Sequence, residues 1–165
     1  MAKQRLEPAV AALRALRPWL AERGVDVVYD ADTAALAGDR GVRSASREEL
    51  PALVDLVLVL GGDGTLLSMA GRIAEAGRDI PMLGVNFGSL GFLTEVRVDE
   101  MYASLEAVLA GSVRVDTRMM LEAEAHRRDA PLDTRIVLND VVFTKASVSR
   151  IIELSVSVDA AFVTR

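Results

Sequence analysis

The sequence predicts an α/β protein: an open, parallel-sheet N-terminal domain followed by the start of an antiparallel β-rich domain. Three observations predict it. The apolar run Leu56 to Leu60 and the segment Pro81 to Asn86 show no polar alternation, as expected of strands covered on both faces. A helical stretch separates them, and alternating βα units imply a parallel sheet with helices on its faces. Beyond Gly111 the pattern switches to apolar–polar alternation, as in Met119 to His126, which suits half-solvated antiparallel strands.

Taken in order, Leu6, Val10, Leu13, Leu16 and Leu20 recur at three- and four-residue steps and share one helix face, with Pro8 in the first turn and Gly24 as the stop. Val25 to Tyr29 reads as a short buried strand. Asp30 to Ser46 reads as a loop with one helical turn at most. Arg47 to Leu53 reads as a short helix leading into the Leu56 to Leu60 strand. Leu66 to Ala76 is the next helix, closed by Gly77. Pro81 to Asn86 is the next strand, and Phe87 to Gly91 a glycine-rich segment. Asp99 is expected to cap a helix that runs to Ala110 before Gly111. Met119 to His126, Ile136 to Phe143 and Ile151 to Val158 are strand-like, with Arg127 to Asp133 as a hairpin connection. Val156 to Phe162 reads as a strand entering a turn.

A boundary near residues 111–118 divides the chain into an α/β nucleotide-binding domain over 1–113 and an incomplete β-rich domain over 114–165. An open α/β domain usually begins on a strand, whereas this one begins on a helix. Too few residues follow Gly111 to close a second core. The expectation is a fragment, or a chain completed by a partner.

Composition narrows the chemistry. The 165 residues carry a formal net charge of −5 and no long basic run, which disfavours non-specific nucleic-acid binding. There is no cysteine and one histidine, His126, so thiolate and multi-histidine metal sites are excluded, as are disulfides. No apolar run is long enough to cross a bilayer, and the N-terminus lacks a signal-peptide core. A cytoplasmic protein is the simplest expectation.

The candidate site centres on Gly61-Gly62-Asp63-Gly64-Thr65, at the carboxyl end of one strand and the amino end of a helix. Ligands of open α/β sheets bind at that edge. Glycines allow close backbone approach and positive φ, and helix-start N–H groups attract anions. A Walker A loop would need Lys before Ser or Thr, and a dinucleotide fingerprint would need glycine where Leu67 stands. A carboxylate beside phosphates is repelled by roughly 4 kcal/mol per charge pair at 4 Å and an effective dielectric near 20. Asp63 therefore points to a bridging magnesium ion or to proton abstraction from an attacking hydroxyl. The plainer reading is a turn in which Asp63 or Thr65 caps a helix. The second loop, Gly84 to Glu95, should border the same cleft; it offers Asn86 as a polar reader and Phe87 or Phe92 as a face for a purine. Its plainer reading makes Phe92 and Leu93 core residues.

These two loops, with Leu138-Asn139-Asp140-Val141-Val142 and Arg150-Ile151-Ile152-Glu153-Leu154, resemble the NAD kinase family. The resemblance runs from about Leu6 to Phe162. It implies transfer of the γ-phosphoryl of ATP, or of a polyphosphate phosphoryl, to the 2′-hydroxyl of the adenosine ribose of NAD, giving NADP. It makes Asp63 the proton acceptor and makes Gly61, Gly62, Asp63, Gly64 and Thr65 the central loop. It places Asn86, Leu90 and Phe92 along the nucleotide, Asn139 and Asp140 on the dinucleotide, and Arg150 near the ligand. It implies Mg²⁺ with ATP, no resident metal ligand in this chain, and a homodimer or homotetramer. The family usually has Asn-Glu where Asn139-Asp140 stands, and Asp is one methylene shorter. It also continues into an Asp-Gly pair and a Thr-Pro-Thr-Gly-Ser-Thr-like loop that these residues do not contain, so the chain alone is expected to be inactive. The first motif is shared with lipid kinases and phosphofructokinases, which keeps a lipid or sugar hydroxyl as an alternative acceptor. A nucleotide-binding module without catalysis is the alternative of a different class. Lys145 is a further candidate for phosphate contact, and its plainer reading is a solvated surface charge. His126 reads as a strand residue near a charged hairpin with no evident partner, and Arg127-Arg128-Asp129 as the hairpin tip.

Overall fold

The computed structural model describes residues 7–38, 41–88, 91–144 and 151–165. Helix α1 (Glu7–Ala21) precedes strand β1 (Val28–Asp30), α2 (Ala31–Ala37), β2 (Arg43–Ala45) and the short α3 (Leu50–Leu53). Strand β3 (Val57–Leu60), α4 (Asp63–Glu75), β4 (Met82–Asn86) and β5 (Val96–Arg97) follow, then a 3₁₀ turn at Val98–Glu100 and α5 (Met101–Leu109). β3 pairs in parallel with β4, Val57 opposite Met82 and Leu60 opposite Val85, and β4 pairs in parallel with β5. β1 and β2 form a second parallel pair.

Alternation along β3 divides the core in two. Leu60 packs with Leu13, Leu16 and Leu20 of α1 and with Met101 and Leu105 of α5. Val57 and Val59 pack with Leu50, Leu66, Met69 and Ile73, on α3 and α4. Both faces of the sheet are thus covered, which is why the strands read as unbroken apolar runs. Trp19 meets Tyr102 edge to face at 5.2 Å between centroids, and the Arg23 guanidinium stacks 3.8 Å above Trp19 while donating to Glu106 at 3.0 Å. That cluster pins α1 to α5. Met69 is 0% exposed in the second core. Met69→Ala is expected to remove about 2–5 kcal/mol of stability, read as a lower urea midpoint with an unchanged slope.

Several elements differ from the sequence reading. A seven-residue helix, α2, and the three-residue strand β2 together replace most of the loop expected over Asp30 to Ser46. Asp30 is 1% exposed and accepts from the Thr33 hydroxyl, and Arg47 pairs with Asp30 at 3.4 Å and with Asp32 at 2.8 Å. Those bonds tie the start of α2 to the chain entering α3. Asp99 does not cap α5. It lies inside the 3₁₀ turn, where its carboxylate pairs with the Arg97 guanidinium at 3.1 Å and Glu100 accepts the Arg97 N–H. Gly111 ends α5 with φ +65°, as expected.

The antiparallel part forms two hairpins. β6 (Leu121–Arg127) pairs with β7 (Ala130–Val137), and β8 (Val156–Val158) with β9 (Ala161–Thr164). The turns are Arg128-Asp129 and Asp159-Ala160, with positive φ at all four residues. A two-residue turn of that kind matches the strand twist. β7 therefore begins at Ala130, six residues before the expected Ile136, with Pro131 inside it. Its far end docks on α4, where Leu138 packs against the Leu66–Met69–Ile73 cluster.

Candidate active site

β3 passes into α4 through Gly61 and Gly62 alone. The Gly61 N–H donates to the Val85 carbonyl at 2.9 Å, which extends the sheet by one bond. Gly62 is the extended N-cap of α4 with φ −108°, and no side chain caps the helix. The helix begins at Asp63, three residues before the expected Leu66, and neither Asp63 nor Thr65 caps it. Gly61, Gly62 and Gly64 do not adopt positive φ. A Cβ on Gly62 or Gly64 would meet no protein atom within 4 Å. Internal packing thus does not demand glycine at either position, and the bare backbone there is open to close approach by a ligand.

The Asp63 carboxylate turns away from its own helix to the second loop. Its Oδ1 accepts the Thr94 N–H at 2.9 Å, the Thr94 hydroxyl at 2.8 Å and the Leu93 N–H at 3.2 Å. Its Oδ2 accepts the Phe92 N–H at 2.9 Å. Burial pushes this carboxyl up. The Thr94 hydroxyl and the N–H groups of Phe92, Thr94 and Leu93 outweigh that, so it titrates below the ordinary carboxylate value. The first turn of α4 favours the same charge. Asp63 is thus an ionised acceptor held beyond the carboxyl end of β3, suited to orient a hydroxyl or accept its proton.

Two glycines make the approach possible. A Cβ on Gly91 would lie 2.6 Å from Thr94 Oγ1, 2.7 Å from Asp63 Cγ and closer still to Asp63 Oδ1. A Cβ on Gly84 would lie 2.7 Å from Leu66 Cδ1 and 2.8 Å from Thr94 Cγ2. Asn86 is buried at the end of β4; its Nδ2 donates to Thr94 Oγ1 at 3.1 Å and its Oδ1 accepts the Gly88 N–H at 2.8 Å. The two candidate aromatic faces separate here. Phe87 packs against the first core, while Phe92 is 94% exposed beside Asp63. Leu93 packs against the second core. Leu90, Lys145 and Arg150 lie outside the described residues.

Residues 4–113 match the model of the ATP-NAD kinase N-terminal domain. The chain belongs to the NAD kinase family. It is 47% identical to an NAD kinase of Syntrophotalea carbinolica over 94% of this chain and 54% of that protein. It is 47% identical to an NAD kinase of Geobacter metallireducens over 88% of this chain and 50% of that protein. The chain thus spans about half the length of these relatives. Its fold is similar to that in a crystal structure of yeast NADH kinase complexed with NADH. The TM-score is 0.70 at 20% identity, over 84% of this chain and 45% of that one.

Against that family pattern, the structure joins Asp63 to Asn86 through one residue that the sequence reading did not single out, Thr94, while the Phe92 N–H meets Asp63 directly. It leaves Asn139 and Asp140 apart from that network. Both are exposed just beyond β7, and Asn139 Nδ2 donates to Asp140 Oδ1 at 3.0 Å. Leu138 fixes them on the flank of α4. His126 is an exposed hairpin residue 3.1 Å from Glu124. Among the described residues no three His, Asp or Glu side chains gather around a common point. None of the described helices is long and apolar enough to cross a membrane.

Proposed function

We propose that this chain is the base-bearing half of an NAD kinase. Its reaction would transfer the γ-phosphoryl of ATP, or a phosphoryl of polyphosphate, to the 2′-hydroxyl of the adenosine ribose of NAD. The observation that carries this reading is the Asp63 carboxylate, ionised and fixed by four hydrogen bonds at the carboxyl edge of the sheet, with Phe92 exposed beside it. A carboxylate so placed can take the ribose proton as the phosphoryl arrives; what remains of phosphoryl transfer is positioning and charge neutralisation. Asp63 and Gly64, within the Gly61–Thr65 loop, contact NAD. Asn86, Leu90 and Phe92 lie along the nucleotide, and Asn139, Asp140 and Arg150 approach the dinucleotide. Mg²⁺ enters on the ATP phosphates.

The α/β domain spans 1–113, and 114–165 begins a β-rich domain that the rest of the protein completes. The partners are NAD and ATP, not nucleic acid, and the complete cytoplasmic enzyme is a homo-oligomer. The length of the relatives supports this division of labour. The 165-residue chain alone is expected to form no NADP from ATP and NAD. A chimera joining it to the C-terminal half of the Syntrophotalea carbinolica relative is expected to form NADP. Turnover by the short chain, or none by a chimera that unfolds cooperatively, would contradict this reading.

A further inference from the structure

Thr94 lies 31 residues from Asp63 in sequence, yet its side chain is 0% exposed against it. The direction of each hydrogen bond is forced. The Gly88 N–H can only donate, so Asn86 presents Oδ1 to it and Nδ2 to Thr94. The Thr94 oxygen must accept from Nδ2, so its single proton goes to Asp63 Oδ1. The Thr94 methyl is held equally firmly, in the space that a Cβ on Gly84 would fill and beside Leu66. Hydroxyl and methyl together fix one rotamer. Asp63 Oδ1 then accepts three donors, while Oδ2 accepts only the Phe92 N–H among the described residues.

We infer that Thr94 is a positioning residue that saturates Asp63 Oδ1 and thereby assigns proton acceptance to Oδ2. This rests on the kinase reading for its chemistry. The ribose hydroxyl oxygen bonds to the transferred phosphorus, the bond from that phosphorus to the ADP oxygen breaks, and the hydroxyl proton passes to Oδ2. The geometric claim about Thr94 stands or falls separately.

The test is carboxyl ¹³C and amide NMR on the 165-residue chain, with urea midpoints alongside. In the wild type, the amides of Phe92, Leu93 and Thr94 should titrate with the Asp63 carboxyl. A slowly exchanging Thr94 hydroxyl proton should be visible while Asp63 is ionised and lost when it is protonated. Thr94→Val keeps the shape and removes the proton donor, so the Asp63 midpoint should move upward towards the ordinary carboxylate value. Thr94→Ser should bring the midpoint back even if its missing methyl lowers stability. Asn86→Ala provides a second route, shifting the Asp63 midpoint in the same direction by releasing the hydroxyl. A lower urea midpoint with an unmoved Asp63 titration in Thr94→Val and Asn86→Ala would reduce Thr94 to packing and overturn the inference. Loss of NADP formation by the chimera with the titration shifts as described would instead remove the kinase reading and leave the Thr94 geometry standing.

Discussion

Asp63→Asn is expected to lower NADP formation by the chimera about 10²–10⁴-fold, the range that a positioned general base supplies. The substitution also reaches beyond the chemistry. Among the described residues the wild-type carboxylate is bonded only to donors: three backbone N–H groups and one hydroxyl. An asparagine can keep an oxygen towards the Thr94 side, but its amide nitrogen then confronts the Phe92 N–H, donor against donor. The second loop should loosen, so NAD binding should weaken along with turnover and the urea midpoint should fall. The pH dependence follows from the depressed value of Asp63. A carboxyl that titrates lower in the folded chain than in the unfolded one contributes stability above the unfolded value, about pH 4, and loses it as pH falls through the folded value. The gap in urea midpoint between wild type and Asp63→Asn should therefore hold from pH 7 to 5 and shrink below about pH 4. Near-normal turnover in Asp63→Asn would show that this group is not the base. A gap that widens in acid would show that the four donors do not hold the carboxylate ionised.

The second large effect belongs to a residue with no functional group. Gly91→Ala places a methyl inside van der Waals range of both Asp63 and Thr94 Oγ1, so the carboxylate and the segment that binds it must part. Turnover in the chimera is expected to fall to within about tenfold of the Asp63→Asn level, since the positioned base is lost by displacement. The urea midpoint should fall with it. Gly64→Ala is the contrast, because its methyl meets no protein atom within 4 Å and alanine suits a helix better than glycine. That variant should fold at least as stably as the wild type while losing activity through ligand contact alone. Normal turnover in Gly91→Ala would mean that the Asp63 position is not set by this approach.

Legibility in the sequence followed the range of the interactions involved. The α1 face was readable because Leu13, Leu16 and Leu20 repeat with the helix itself. The β3 and β4 strands were readable because burial on both faces removes polar alternation. Asp63 stood out because a carboxylate between glycines at a strand–helix junction has few structural uses. Thr94 did not, because its partner lies across a parallel pairing and nothing local in Leu93-Thr94-Glu95 records that contact. The α2 helix was missed because its buried residues, Thr33 and Ala37, are small and leave no apolar stripe. The β6–β7 tip was legible in the charged stretch Arg127-Arg128-Asp129, but the connection was drawn on as far as Asp133 because Pro131 reads as a turn residue rather than a strand residue.

Gly84 and Thr94 bind the evolution of the two ends of the second loop together. The space without a side chain on β4 is the seat of the Thr94 methyl, so neither position can drift alone. A larger residue at 84 is tolerable only with a smaller one at 94, and removing the methyl at 94 leaves a void beside Leu66. Their substitutions are therefore non-additive, as for any two residues that share one volume. A neutral path through sequence space must change both at once, so the strand end that seats the methyl and the residue that holds the base are inherited as a unit.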